Sequence, residues 1–161
     1  MAASDIHLRI GDIKGESTDD KHKDEIDVES WSWGASNPVS TTAGGGGTGK
    51  VTFNDLSFMH RFDRASPSLW KACATGQHFR DATLSSAKQG KAQQDFLIVK
   101  MTDVLITSVT TSGSNGAGPG PMESVSMKFG RVDLEYKPQR ADGSLDAGVF
   151  FKFDIKANKE G

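Results

Sequence analysis

Long apolar runs are missing from this sequence of 161 residues: the longest, Phe96-Leu97-Ile98-Val99, has four. A helix needs about 20 such residues to cross a bilayer, so a membrane-spanning helix is excluded. The start, Met1-Ala2-Ala3-Ser4-Asp5-Ile6-His7, has neither the cationic segment nor the apolar stretch of an export signal, and none is expected. Cysteine is almost absent as well. Cys73 alone cannot form an internal bridge, which removes the disulfide-stapled secreted class and fits synthesis in a reducing compartment. Neither sign of charge is in excess, since 19 Lys and Arg stand against 21 Asp and Glu for a net of −2. The signs are interspersed, so a polybasic footprint for nucleic acid is lacking.

What is present is enough chain for one domain, residues 1–161, with a core that needs no staples, because a chain of this length buries roughly 70% of its unfolded surface. Glycine is abundant at 18 residues, and glycine at this level marks turns and bulges.

Alternation with period two dominates the chain. Ile6, Leu8 and Ile10 share one phase, followed by Ile26 with Val28 and Val51 with Phe53, each set reading as a half-buried strand. Val125, Met127 and Phe129 occupy one phase and Val132, Leu134 and Tyr136 the other, so a bulge at Gly130 is expected to return both sets to one face. Val149, Phe151, Phe153 and Ile155 predict a final strand, with Phe150 on its opposite side. One segment has helical spacing, through Leu69, Trp70 and Cys73. Ser66 is the expected N-cap, Pro67 suits the first helical position, and Gly76 supplies the left-handed stop. A lone helix of about ten residues is marginal in water and must pack on the sheets.

Residues 15–23 read as a charged, solvated connection, residues 35–49 as a small, glycine-rich loop, and residues 112–121 as a polar loop. Ala141-Asp142-Gly143-Ser144 is a turn signal. The fold class expected is mainly β: two antiparallel sheets forming a barrel- or sandwich-like core, with one short helix at the side.

Candidate chemistry is sparse. Gly44-Gly45-Gly46-Gly47-Thr48-Gly49-Lys50 resembles a phosphate-binding loop, but Val51 stands where that motif needs a hydroxyl, and a strand follows where it needs a helix. His7, His22, His60 and His78 lack the spacing of a metal pair, so neither a metal nor another cofactor is expected. Cys73 and His78 are the nearest approach to a thiolate dyad, and a buried apolar role for Cys73 is the simpler reading. The carboxylates Asp19, Asp20, Asp24 and Glu25 read as a solvated face. No catalytic constellation emerges. Trp31-Ser32-Trp33 says more: in a strand both indoles point one way, leaving Ser32, with Ser30 and Gly34, on the wetter side.

Ile10-Gly11-Asp12-Ile13-Lys14-Gly15-Glu16-Ser17, then Glu25-Ile26-Asp27-Val28 leading to Trp31-Ser32-Trp33-Gly34, resembles the start of the haemolysin-coregulated protein (Hcp) family of the bacterial type VI secretion system. The resemblance continues through Asp55-Leu56-Ser57-Phe58, Ala72-Cys73-Ala74-Thr75-Gly76-Gln77-His78, and Tyr136-Lys137-Pro138-Gln139 to Asp142-Gly143, and covers residues 4–157 in order.

This resemblance implies a homohexameric ring, rings stacked into a hollow tube, a contractile sheath around it, a valine-glycine repeat spike at its tip and effector proteins carried in the lumen. It implies no enzyme activity, no nucleic-acid partner and no membrane insertion. The protein would be cytoplasmic until fired from a Gram-negative cell, in a system tied to virulence and interbacterial competition. Within that frame Ser32 and Ser30 are expected to face cargo at the lumen wall. Ser40, Thr41, Thr42, Gly44, Gly45, Gly46, Gly47 and Thr48 are expected to contact the next ring, and Phe150 to lie at a subunit interface. The chain runs only to Gly161 after the last strand, so a carrier copy without a toxin extension is expected. The competing reading is a monomeric β-barrel or sandwich module that binds a small ligand or glycan through Trp31, Trp33 or Trp70.

Overall fold

Period-two segments become strands almost wherever the sequence contains them. The computed structural model describes residues 4–38, 50–88, 94–118 and 120–161. In chain order its elements are β1 (Ser4–Ile10), β2 (Ile26–Asp27), β3 (Ser30–Ser32), β4 (Ala35–Ser36), β5 (Thr52–Phe53), β6 (Leu56–Arg61), α1 (Ser66–Thr75), β7 (His78–Lys88), β8 (Asp95–Ser112), β9 (Met122–Tyr136), β10 (Val149–Asp154) and β11 (Lys159–Glu160).

Among the described residues there are two antiparallel sheets. The larger has nine strands in the order β11-β10-β9-β8-β7-β1-β2, with β6 paired to β9 and β3 to β6, while β4 and β5 form a small sheet of two. The large sheet curls round the core without closing as a continuous barrel. The corner between β2 and β3 stitches its seam, where the Val28 N–H donates to Ile6 O and the Glu29 N–H to Met59 O at 3.0 and 2.8 Å.

The expected inward phases hold for Leu8, Ile10 and Ile26, and with Leu56, Phe58, Leu84, Val99, Met101, Val125, Met127 and Val132 they form the buried core. The phase slip at Gly130 is real, but two strands share it. Val99 and Met101 are buried before Asp103 on β8, and Val104 and Ile106 after it. Asp103 takes a left-handed φ of 60°. The flanking pairs Thr102↔Arg131 and Val104↔Phe129 keep one register, so Asp103 and Gly130 leave the ladder together and both strands change face at the same point. The register shift in this pair lies elsewhere, between Ile106 and Ser108.

Helix α1 corrects one expectation. Ala65 occupies the N-cap with no side-chain bond, and Ser66 is already helical. The Ser66 hydroxyl is committed to the preceding turn, where it accepts the Asp63 N–H at 3.1 Å. Gly76 ends the helix at a φ of 68°, as expected for a residue without a Cβ penalty in the left-handed region. Leu69 and Ala72 are fully buried against the sheet, and burying one leucine side chain contributes about 2 kcal/mol.

The connection over residues 15–23 is also not simply solvated. The Gly15 N–H donates to Asp24 O at 2.7 Å, the Ser17 N–H to Glu25 O at 3.0 Å and the Asp24 N–H to Ser17 O at 2.9 Å. The segment folds on itself and buries Ser17 and His22. A Cβ at Gly15 would sit 2.4 Å from Glu25 O, so only glycine permits this approach. At the other end of the chain β10 stops at Asp154, Ile155 lies in the following turn, and β11 rather than β10 is last.

Candidate assembly surfaces

β3 pairs with β6 through Ser30↔Met59, Trp31↔Phe58 and Ser32↔Ser57. Because cross-strand partners point to the same side, the Trp31–Phe58 pair faces the core and the serines face out. Trp31 and Trp33 pack against the core, and Ser30 and Ser32 are exposed, as their alternation predicts.

The register carries this polar face further than the sequence suggests. Ser57 pairs with Ser126 on β9, and Ser126 with Ser108 on β8. Ser32, Ser57, Ser126 and Ser108 therefore form a row across four strands, with the Ser57 and Ser126 hydroxyls 2.8 Å apart. Beside it run Ser30, Met59, Ser124 and Thr110. The result is a neutral wall of short hydroxyl side chains, with exposed Met59 its one bulky member.

Phe150 stands on a different surface. It is 57% exposed on β10, opposite Glu135. The Lys152 ammonium lies 5.2 Å from its ring centroid, within range of a cation–π contact. Ile98, Lys100, Asp133, Glu135 and Lys152 complete a small cleft of about 90 Å³ beside it. Val149 and Phe151, on the strand's other face, are exposed as well. Phe151 and Phe153 stack at 6.0 Å, and Phe53 bridges Phe153 to Trp33 at 5.3 and 5.6 Å. These rings wall a cleft of about 520 Å³.

Residues 40–48, the expected ring-stacking loop with Ser40, Thr41, Thr42, Gly44, Gly45, Gly46, Gly47 and Thr48, lie outside the described residues. The phosphate-loop likeness is undercut from the flank, since Thr52–Phe53 is a strand where a helix would be needed. Among the described residues no hydrogen bond joins Cys73 to His78. Cys73 packs half-buried on the core, and His78 Nδ1 faces Asp103 at 3.2 Å. Of the indoles named for a ligand-binding module, Trp31 and Trp33 pack partly buried against the core, Trp33 also lines the 520 Å³ cleft, and exposed Trp70 donates its Nε1–H to Glu123 and Thr111, each at 3.0 Å.

Two histidines that spacing alone treats as isolated are buried between carboxylates. His22 Nδ1 lies 3.1 Å from Glu25 and its Nε2 3.0 Å from Asp95. His60 Nε2 lies 2.8 Å from Glu123, with both side chains fully buried. Burial opposes charge on both rings, but their carboxylate partners outweigh it and hold both above the ordinary imidazole range. The pairs His60–Glu123 and His22–Asp95 are 63 and 73 residues apart in sequence, so no local motif announces them.

The fold defines a mainly β protein of one curled antiparallel sheet, a minor sheet and a side helix. Residues 7–136 match the family described as type VI secretion system effector, Hcp. Protein hcp1 of Pseudomonas aeruginosa is 43% identical over 159 residues, covering 97% of this chain and 98% of that one. The solved structure of a type six secretion system protein superposes with a TM-score of 0.93 at 32% identity, covering 99% of this chain and all of the other. The crystal structure of Hcp1 from Salmonella typhimurium matches over the full length of both chains, with a TM-score of 0.82 at 38% identity. This chain belongs to the Hcp family of type VI secretion system proteins.

Proposed function

We propose that this chain is a structural subunit of the type VI inner tube. Copies close into hexameric rings, the rings stack into a hollow tube, and the tube leaves the cytoplasm with its valine-glycine repeat spike when the surrounding sheath contracts. Effector proteins travel in the lumen. The observation that carries this reading is membership of the Hcp family across nearly the whole chain.

The surfaces are suited to the role. A head-to-tail ring needs two different patches on each subunit, and exposed Phe150 offers an apolar one. A lumen that accepts varied cargo is best lined by small neutral groups, and the row from Ser32 to Ser108 has that character, with Ser30 beside it. Ser40, Thr41, Thr42, Gly44, Gly45, Gly46, Gly47 and Thr48, which fall in sequence between β4 and β5, are assigned to contacts between rings. None of these roles requires a catalytic group.

Size is the decisive test. Light scattering after gel filtration should give the mass of a hexamer, and negative-stain images should show rings with a central hole. A monodisperse monomer at high concentration would overturn the tube reading.

A further inference from the structure

His60 lies at the meeting point of β6, β8, β9 and the entry to α1. Its Nε2 is 2.8 Å from Glu123 Oε1, and its Nδ1 is 3.5 Å from Asp63 Oδ2. A neutral imidazole has one N–H and one lone pair. Nδ1 makes no hydrogen bond of its own, so a neutral ring protonated on Nε2 could still serve Glu123, but only the imidazolium offers a proton towards Asp63 as well and sets a positive charge between the two carboxylates. The Phe58 ring, 5.6 Å away, covers the apolar side, and the charged groups acting on His60 are Asp63 and Glu123.

Those same two carboxylates anchor the helix. Glu123 Oε2 accepts the Trp70 indole N–H from α1 at 3.0 Å and the Thr111 hydroxyl from β8 at 2.7 Å. Asp63 accepts the Ala65 N–H on its carboxylate at 2.9 Å and the Ser66 N–H on its carbonyl at 3.0 Å. One ring therefore ties the middle of α1 and its first turn to the sheet.

We propose that His60 is a proton-operated latch that keeps helix α1 seated on the curled sheet through Glu123 and Asp63. When the ring loses its proton, both carboxylates lose their positive partner, and the fully buried Glu123 keeps only the neutral Trp70 and Thr111 donors in a site closed to water. Admitting water relieves that cost, and Trp70, which donates to Glu123, is itself 48% exposed. Because the carboxylates raise the ring's affinity for its proton, the latch is closed below the ordinary histidine range and opens as pH rises through the raised value. This is the reverse of an acid-triggered histidine switch.

The test follows the His60 ring resonances by NMR across pH, alongside amide protection factors for α1 and for the β8–β9 ladder. The expected result is a His60 midpoint above the free value of about 6.5. Protection of α1 should fall about tenfold or more through that midpoint while the β8–β9 amides keep theirs. Replacing His60 risks unfolding, so the discriminating variants are Trp70→Phe, which keeps the packing but removes the N–H, and Glu123→Gln. Trp70→Phe should shrink the pH step in α1 while His60 still titrates high; Glu123→Gln should lower the His60 midpoint. A midpoint at or below the free value, α1 protection flat across the His60 titration, or an undiminished step in Trp70→Phe would each overturn the latch.

Discussion

His22 Nε2 reaches Asp95 at the start of β8 at 3.0 Å, while Nδ1 of the same ring holds Glu25 at 3.1 Å. The His7 ring stacks on His22 at a centroid distance of 4.7 Å, nearly parallel. A loop that composition assigns to solvent is thereby pinned to the sheet by one imidazole with a carboxylate at each nitrogen.

The pinning carries a definite pH dependence. His22 is raised above its ordinary value by Asp95 and Glu25 against the cost of burial. A raised folded-state value contributes stability that is complete below the unfolded value of about 6.5 and is lost as pH rises through the folded value. Asp95→Asn should therefore lower unfolding free energy by about 1–3 kcal/mol under mildly acidic conditions. The deficit should narrow in alkaline buffer. Urea titrations of both proteins at the two conditions measure this, and a deficit that grows with pH would contradict it.

Gly15 offers a test on the same loop that is independent of charge. With Glu25 O only 2.4 Å from any added Cβ, Gly15→Ala must push two backbone segments apart, which costs about 1–3 kcal/mol by analogy with overpacked cores. The thermal midpoint should drop clearly. Gly118→Ala, whose Cβ would meet nothing within 4 Å, serves as the control and should stay within about 0.5 kcal/mol of the parent.

How much of this was legible beforehand depends on whether the information is local. Ile6, Leu8 and Ile10 announce β1 by alternation, Trp31-Ser32-Trp33 assigns its own sides correctly, and Gly76 stops the helix, because each signal lies within a few residues. The helix start moved by one residue, since Ser66 had a better use in the turn at Asp63 than as a cap. The slip at Gly130 was visible, but its partner Asp103 was not, because a shared change of face is a property of two strands. The His60–Glu123 and His22–Asp95 contacts and the serine row depend on register between distant segments, and composition carries no trace of register.

Phe150 provides the test of ring closure. Its side chain is 57% exposed, so Phe150→Ser should change the stability of the subunit by no more than about 0.5 kcal/mol, the usual range for surface positions. If the residue anchors a subunit contact, the truncation should cost about 2 kcal/mol or more at the interface and shift light-scattering mass from ring to monomer at low concentration. An unchanged ring mass across a dilution series would remove Phe150 from the interface.

Deleting Gly44, Gly45, Gly46 and Gly47 separates stacking from closure. The shortened connection between β4 and β5 should leave hexamers intact by light scattering and reduce the length and number of stacked tubes in negative-stain images. Tubes of normal length would show that rings meet through other residues.

The serine row makes the sharpest demand on the lumen assignment. Ser32, Ser57, Ser126 and Ser108 are aligned by register, so bulk added at any exposed member of the row should narrow the same wall. Ser32→Gln and Ser108→Gln keep the surface neutral, and both positions are exposed, so folding and ring mass should match the parent. Effector co-purified with the rings should fall in each variant. Ser30→Gln, in the adjacent row, should have a similar effect, whereas a glutamine at Thr75 on the exposed side of α1 should have none. If cargo yield is unchanged in both row variants while Thr75→Gln lowers it, the hydroxyl wall faces outward and the helix faces the lumen.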